Sequence, residues 1–451
     1  MKIFTLGIIK LKISLFFRKS LFHYKLILII IFGFLLRLLS LNKPFLGSFD
    51  EALSLYIAQQ PPAKIWFLHL KGIDFTFPFF NYLLSLWIKI STSIIWARIF
   101  SLIFGIITIY LTYKIGSFLF NKEIGFLGAF FVSCSENFIW YSVESRVYSL
   151  FTVFVLLALF YFLKFIYNPS FKERLFFILF TALSIYAHFF GFFLLLIQFF
   201  ILILNRKKIK TTFKEWIIYF VSIIILISPL IFYYTNQYYN FYKMGNYWRK
   251  CLSCFCYLKD TFEIYSDHRY ILWLYIILFW LFIFKKLKDL KLLEKDKKLF
   301  FNTSLNPALQ FPLVFLFLPL LSTCILSIGR LKIFKPNYVM PFFIFFYLLL
   351  SKMILGYKNK AKKFILLLIV PILFSNGLRF SLSTGILGAK EELYRIHRLL
   401  KDNAVKNDLI VSDYIPNSIS IFASLNVPIK IITNKKILNK AKLFQADFFN
   451  E

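Results

Sequence analysis

Acidic residues are scarce in this chain, and so are histidine and cysteine: 21 Asp and Glu stand against 54 Lys and Arg, with 5 His and 5 Cys in 451 residues. No internal repeat is visible, which weighs against transporters built from duplicated halves. Cys251, Cys254 and Cys256 read Cys-x-x-Cys-x-Cys without a second cluster. That spacing matches no standard zinc pattern, and it leaves a disulfide in an oxidising compartment or an isolated metal site as readings of the loop. No small-residue cleavage motif follows the first apolar stretch, so that stretch is expected to remain as an anchor. The shortage of acid gives a formal charge of +33. On a soluble protein such a charge would point to nucleic acid; here the apolar content decides otherwise, and no nucleic-acid partner is expected.

Hydrophobic residues make up 59% of the chain, and 62 residues are Phe, where a soluble domain is about 45–50% apolar. The excess requires lipid around it. A hydrocarbon core of about 30 Å needs roughly 20 apolar residues per helix, and candidates fall at 22–41, 96–118, 124–140, 149–166, 175–188, 189–205, 215–234, 270–284, 310–328, 338–351 and 364–380. The expected fold is an all-α polytopic membrane protein of about eleven transmembrane helices. The run 175–205 is divided at Ala187, His188 and Gly191, the only interruption in it.

Basic residues near span ends are retained in the cytoplasm. With the N-terminus inside, the inner segments 1–25, 114–123, 164–174, 206–214, 285–298 and 352–363 hold 28 Lys and Arg, and the outer segments 42–95, 141–148, 235–269 and 329–337 hold 13. The apolar stretch 79–93 is read as a helix lying in the outer interface, with Tyr82 and Trp87 at headgroup depth, because counting it as a span would turn the basic clusters outward. Residues 1–380 then form the membrane domain, with 42–95 as its outer first loop. Residues 381–451 read as a small α/β piece on the non-cytoplasmic side: 391–400 is amphipathic at helical spacing, while 408–413 and 428–433 look like strands.

Ionisable groups at membrane depth are costly and are kept for a reason. Four outer places carry them: Gly47 to Glu51, Tyr141 to Tyr148, His188, and Arg330 to Tyr338 with Lys332 and Lys335. Each has a plain alternative. Asp50 and Glu51 could cap a helix, Glu144 and Arg146 could be a solvated pair worth under about 1 kcal/mol, His188 could fill a helical break, and Arg330, Lys332 and Lys335 could be ordinary loop charges. Their shared face favours a site.

The order Phe49-Asp50-Glu51-Ala52-Leu53-Ser54, Asp74 to Tyr82, Ala97-Arg98-Ile99-Phe100-Ser101 and Tyr141-Ser142-Val143-Glu144-Ser145-Arg146-Val147-Tyr148 resembles the bacterial relatives of protein O-mannosyltransferases and lipid A aminoarabinose transferases, membrane glycosyltransferases of the GT-C class. The likeness continues through Tyr186 to Gly191 and Pro336 to Pro341, and so covers most of 22–350. It implies a GT-C fold in a bacterial inner membrane and a polyprenyl-phosphate sugar donor of the undecaprenyl-phosphate type. It also implies an active site facing away from the cytoplasm, the side given independently by charge. Protein, lipid A, cell-wall polymer and glycolipid acceptors are all compatible.

On this reading Asp50 is the catalytic base and Glu51 its helper. Arg146 binds the donor phosphate, since a guanidinium pairs two phosphate oxygens at once. Glu144 is a second-loop acid or metal ligand, and a divalent metal, Mg or Mn, between Asp50 and Glu144 is a candidate cofactor. Asp74, Tyr148 and His188 complete the candidates, and Phe-lined grooves hold the prenyl chain. Two departures stand out. The first loop reads Asp74-Phe75-Thr76-Phe77-Pro78 where the relatives have Asp-x-His-Pro-Pro, so no role for that His carries over. The late loop has Asn337-Tyr338 in place of Arg-Tyr, which passes phosphate binding to Lys335 or Arg330, beside Tyr338. The competing class is a transporter or flippase of lipid-linked sugars, and a scaffold has no need of such a cluster.

Overall fold

A computed structural model of the chain describes residues 24–42, 49–74, 76–206, 211–244, 254–267, 269–292, 307–328 and 336–385. Arg330, Lys332, Lys335 and Cys251 lie outside the described residues, as do 386–451 and with them the expected α/β piece. The described chain is helical, with no strand.

Helix α1 spans 24–40. Three short helices follow, α2 (Phe49–Ala58), α3 (Pro62–Leu70) and α4 (Phe79–Trp87). Then come α5 (Ile94–Leu119), α6 (Lys122–Cys134), α7 (Glu136–Ser142), α8 (Tyr148–Tyr167) and α9 (Phe171–Ala187). After a 3-10 turn at Phe189–Phe192 come α10 (Phe193–Asn205), α11 (Phe213–Met244), α12 (Cys254–Tyr265), α13 (Arg269–Leu292) and α14 (Pro307–Ile328). A second 3-10 turn, Pro336–Val339, leads into α15 (Met340–Leu355) and α16 (Asn359–Gly385).

Each of the eleven expected segments holds a helix. Five are long and apolar enough to cross a membrane: Ile94–Leu119, Tyr148–Tyr167, Phe213–Thr235, Pro336–Leu355 and Asn359–Thr384. Shorter apolar helices occupy Phe189–Asn205, Tyr270–Leu281 and Leu309–Ile325. The chain is a polytopic α-helical membrane protein. In α8 and in 336–355, 72% of the apolar window is buried inside the protein, against 33% in α11 and 28% in α16. The first two are therefore central, and the other two turn apolar rows outward, Ile217, Val221, Ile224 and Phe232 in α11 and Phe364, Leu367 and Phe374 in α16.

Side-chain caps begin several helices. Ser93 accepts from the Trp96 N–H, Asn121 from Ile124 and Ser170 from Glu173, each meeting a donor that a helix start leaves free. The α5–α6 hairpin closes on glycine: a Cβ on Gly116 would stand 2.8 Å from the Gly125 Cα. Division of 175–205 falls at the expected residues, and it needs Gly191, where a Cβ would meet the Ser184 carbonyl oxygen at 2.7 Å. With 9 residues, α4 reaches only about 13 Å, so 79–93 does not cross.

One expected span is corrected. Segment 124–140 is not continuous: the helix ends at Cys134, Ser135 is extended, and α7 restarts at Glu136. Polar groups from other helices stabilise the break. The half-buried Asp267 carboxylate accepts from the Ser135 hydroxyl at 3.2 Å and the Glu136 N–H at 3.0 Å. The Tyr347 hydroxyl donates to Ser135 at 2.9 Å. On the other side Arg37, fully buried in α1, donates to the carbonyls of Ser133 at 3.1 Å and Val132 at 3.3 Å. Those carbonyls are the acceptors an interrupted helix leaves open in lipid. Arg37 also donates to the Ser142 hydroxyl at 3.1 Å, which ties down the far end of α7.

Candidate active site

Adjacent acids on α2 have opposite surroundings. Glu51 is fully buried, and both its oxygens are taken by Arg98 of α5, at 2.9 Å from Nε and 2.7 Å from Nη2. The Ser145 N–H donates to the same carboxylate at 2.9 Å, and Arg98 donates onward to the Leu41 carbonyl at 2.8 Å. Glu51 thus ties the first loop to the segment that carries Arg146. Asp50 is half-buried and makes no hydrogen bond or ion pair among the described residues. Its charge is felt by Arg146, Tyr141, Tyr148 and Tyr338. Consecutive helical residues point about 100° apart, so the pair serves two environments from one turn.

Between α7 and α8, residues 143–147 leave helical geometry, and the 141–148 segment delivers Tyr141, Arg146 and Tyr148 to one place. Arg146 Nη1 donates to Asp74 Oδ2 at 2.8 Å and to Ser54 Oγ at 2.7 Å. Its Nε is buried with no partner among the described residues. Burial disfavours the guanidinium charge, but Asp74 and Asp50 outweigh that and hold Arg146 cationic. Asp74 is fixed in turn: Oδ1 accepts from the Thr76 N–H at 3.0 Å and the Thr76 hydroxyl at 2.9 Å. Burial raises its carboxyl, while Arg146, His69 and Thr76 together lower it further, leaving Asp74 well below the usual carboxylate range.

Tyrosines form the remaining wall. Tyr148 meets Tyr141 at 5.0 Å between ring centroids and Tyr338 at 6.3 Å. The Arg146 guanidinium stands 5.9 Å over the Tyr148 ring. Tyr338 also packs on His188 at 4.7 Å and Phe190 at 5.0 Å. His188 is buried at the α9 break, where its Nδ1 accepts the Phe190 N–H at 3.2 Å. It shapes the wall from behind Tyr338. Glu144 is buried near Tyr141. Asp50, Asp74, Glu144, Arg146, Tyr148, His188 and Tyr338 are therefore brought into one region from segments far apart in sequence. Among the described residues no three His, Cys, Asp or Glu side chains gather as a metal-binding group.

Reading the sequence passed over four members of this region. Ser54 and Arg98 lie inside the quoted motifs, where a hydroxyl and an arginine among apolar residues could have marked them. His69 and Tyr233 lie outside every motif, and both bond the Thr76 carbonyl at 2.8 Å.

A sequence profile of the dolichyl-phosphate-mannose-protein mannosyltransferase family matches residues 76–233, the stretch running from Thr76 through the Tyr141–Tyr148 segment to Tyr233. No curated protein sequence matches. Among solved structures, ArnT from Cupriavidus metallidurans bound to undecaprenyl phosphate superposes with TM-score 0.62 at 10% identity, over 93% of this chain and 88% of that one. The chain has the GT-C fold. The apo state of the same ArnT gives 0.62 at 11% identity, over 92% and 87%. A second GT-C structure, the archaeal oligosaccharyltransferase AglB from Archaeoglobus fulgidus, in complex with an inhibitory peptide and a dolichol-phosphate, gives 0.51 at 14% identity, over 92% and 64%. The likeness to ArnT and AglB is one of fold, and the likeness to the mannosyltransferase family is one of sequence profile over residues 76–233.

Proposed function

We propose that the protein is an inverting glycosyltransferase that moves a sugar from a polyprenyl-phosphate donor to an acceptor on the non-cytoplasmic side of the membrane. One observation carries this reading: Asp50, a carboxylate without a partner among the described residues, lies close enough to the buried guanidinium of Arg146 to act on its charge, and the Arg146 Nε is also without a partner among them. A base and an anion receptor are the two functions that transfer from a sugar phosphoester needs. The polyprenyl phosphates held by ArnT and AglB support the donor class.

Asp50 takes the proton of the acceptor hydroxyl as its oxygen attacks the anomeric carbon. The bond from that carbon to the phosphate oxygen breaks, the anomeric centre inverts, and the polyprenyl phosphate leaves as an anion stabilised by Arg146. No covalent sugar–enzyme intermediate forms. Glu51, with both oxygens engaged, positions Arg98 and Ser145 rather than the acceptor. Lys335 and Arg330 are assigned to the same phosphate from their place beside Tyr338 in sequence.

Sidedness is supported by parity. Helices α5 and α6 separate Asp50 from Tyr141, α8 and α9 separate Tyr148 from His188, and α10, α11, α13 and α14 separate His188 from Tyr338. Even numbers of crossings return each group to one face, and the basic-residue distribution makes that face the outer one. Cysteines introduced in 235–269 should react with an impermeant reagent in intact cells, and those in 285–298 should not; the reverse would invert the topology. The function itself is tested by assaying sugar transfer and lipid scrambling in one reconstituted preparation supplied with undecaprenyl-phosphate sugars. Transfer is expected. Scrambling without transfer would make the protein a flippase. Mass spectrometry of envelope glycans from a strain lacking the gene then identifies the sugar and the acceptor.

A further inference from the structure

Arg146 is held differently from the other buried arginines. Arg37 and Arg98 each meet several fixed acceptors directly. The guanidinium hydrogen bonds of Arg146 all leave from Nη1, so its orientation depends on Asp74 and Ser54. Asp74 sits in a non-helical turn, where Thr76 donates to it twice. What fixes Thr76 therefore fixes Arg146.

Two side chains fix it. His69, in α3, donates from Nδ1 to the Thr76 carbonyl at 2.8 Å, and Tyr233, in α11, donates its hydroxyl to the same oxygen at 2.8 Å. A carbonyl has two lone pairs, and both are used, so this peptide cannot rotate without losing two bonds at once. The donors are themselves held. His69 is fully buried, and Tyr233 packs between Phe77 at 5.1 Å and Trp66 at 6.0 Å.

We infer that His69 and Tyr233 are positioning residues of the donor site, which by their paired hydrogen bonds to the Thr76 carbonyl set the Asp74–Thr76 turn and through it the direction in which the Arg146 guanidinium presents its unpaired Nε–H. The inference rests on the reading of Arg146 as the phosphate receptor. It also gives α3 and α11, which carry no candidate catalytic group, a defined part in substrate binding. A displacement of about 1 Å in a positioned group can cost on the order of 10²-fold in rate, so a two-bond anchor at this distance has a measurable effect.

The test uses full-length protein in lipid nanodiscs with ¹⁵N-labelled arginine, and compares wild type with His69→Asn, His69→Phe, Tyr233→Phe and the double variant His69→Phe/Tyr233→Phe. Hydrogen exchange at the Arg146 Nε–H, assigned by its loss in Arg146→Lys, reports the guanidinium without any ligand. Binding of undecaprenyl phosphate is measured on the same samples. The double variant should raise exchange and weaken binding by about tenfold or more, each single Phe variant by less. His69→Asn, whose side-chain amide can replace the Nδ1 donor, should stay within about twofold of wild type on both readouts. In an Arg146→Ala background the Phe substitutions should leave binding unchanged. Unaltered Nε–H exchange in the double variant, or a binding loss that persists without Arg146, overturns the inference. Should wild type itself fail to bind undecaprenyl phosphate, the donor reading falls, and the exchange measurement still decides this one.

Discussion

Two buried arginine–carboxylate pairs stand close together here and are built to opposite ends. Arg98 and Glu51 meet through two parallel hydrogen bonds, and the donors and acceptors left over go to the Leu41 carbonyl and the Ser145 N–H. Arg146 and Asp74 meet through one, and a buried Nε–H is left open. Ion pairs taken out of water are stabilising only when geometry and remaining hydrogen bonds are both satisfied. The first pair meets that condition within the protein, so it fastens α2 to α5. The second does not, and an anion is what would complete it. Burial alone therefore does not separate structural from functional charges in this membrane domain; the count of satisfied donors does.

That contrast can be broken by substitution. Asp50→Asn removes the proton acceptor while keeping its shape, and should lower transfer by about 10²–10⁴ while donor binding survives; full turnover in this variant would end the mechanism as drawn. Glu51→Gln should fail differently. It leaves Arg98 buried without its charge partner, a loss of about 3–5 kcal/mol, read as a large drop in thermal stability and insertion yield in parallel with activity. A stable but inactive Glu51→Gln would instead make Glu51 the base. Arg146→Lys keeps charge and loses the fork, so transfer should fall by about tenfold or more in a protein that still inserts. Unchanged turnover would move the phosphate site toward Arg330 and Lys335.

Smaller effects sharpen the comparison. The folded-state pKa of Asp74 is depressed, so its pair contributes stability above the ordinary carboxylate range, and this is lost as pH falls through the folded value. Melting should therefore be insensitive to this pair from about pH 5 to 8 and decline only in stronger acid, and Asp74→Asn should reduce the acid-dependent part. Chelation by EDTA decides between the two ways of compensating the leaving phosphate: unchanged transfer would leave that task to Arg146 alone. Collapse restored by Mg or Mn would place a divalent ion between Asp50 and Glu144.

Much of the helical layout was legible in the sequence because lipid enforces a simple rule, that apolar length gives helices, to which the basic residues at span ends add an expectation of sides. The division at Ala187 to Gly191 and the exclusion of 79–93 as a span both followed from that rule. The break at Ser135 did not, because hydropathy across 124–140 is continuous and the groups that stabilise the break, Arg37, Asp267 and Tyr347, come from elsewhere in the chain. At the site, residue type and order pointed to Asp50, Arg146 and Tyr338. They were silent on the different surroundings of Asp50 and Glu51, since adjacent acids look alike until Arg98 is seen on only one of them. Nor could any spacing have joined His69 to Tyr233, whose meeting point is a backbone oxygen.

Almost three hundred residues separate Asp50 from Tyr338, yet both feel the same guanidinium. At about 5–20 residues per second of synthesis, the ribosome takes roughly 15–60 s to cover that distance. Arg146 is made within this interval, and from then on Asp50 and Arg146 stand without Tyr338 until nearly two hundred more residues have followed. The site is thus completed only when the Pro336–Val339 turn arrives, and a nascent chain stalled before that turn would hold its acid and its arginine without the tyrosine that closes them in.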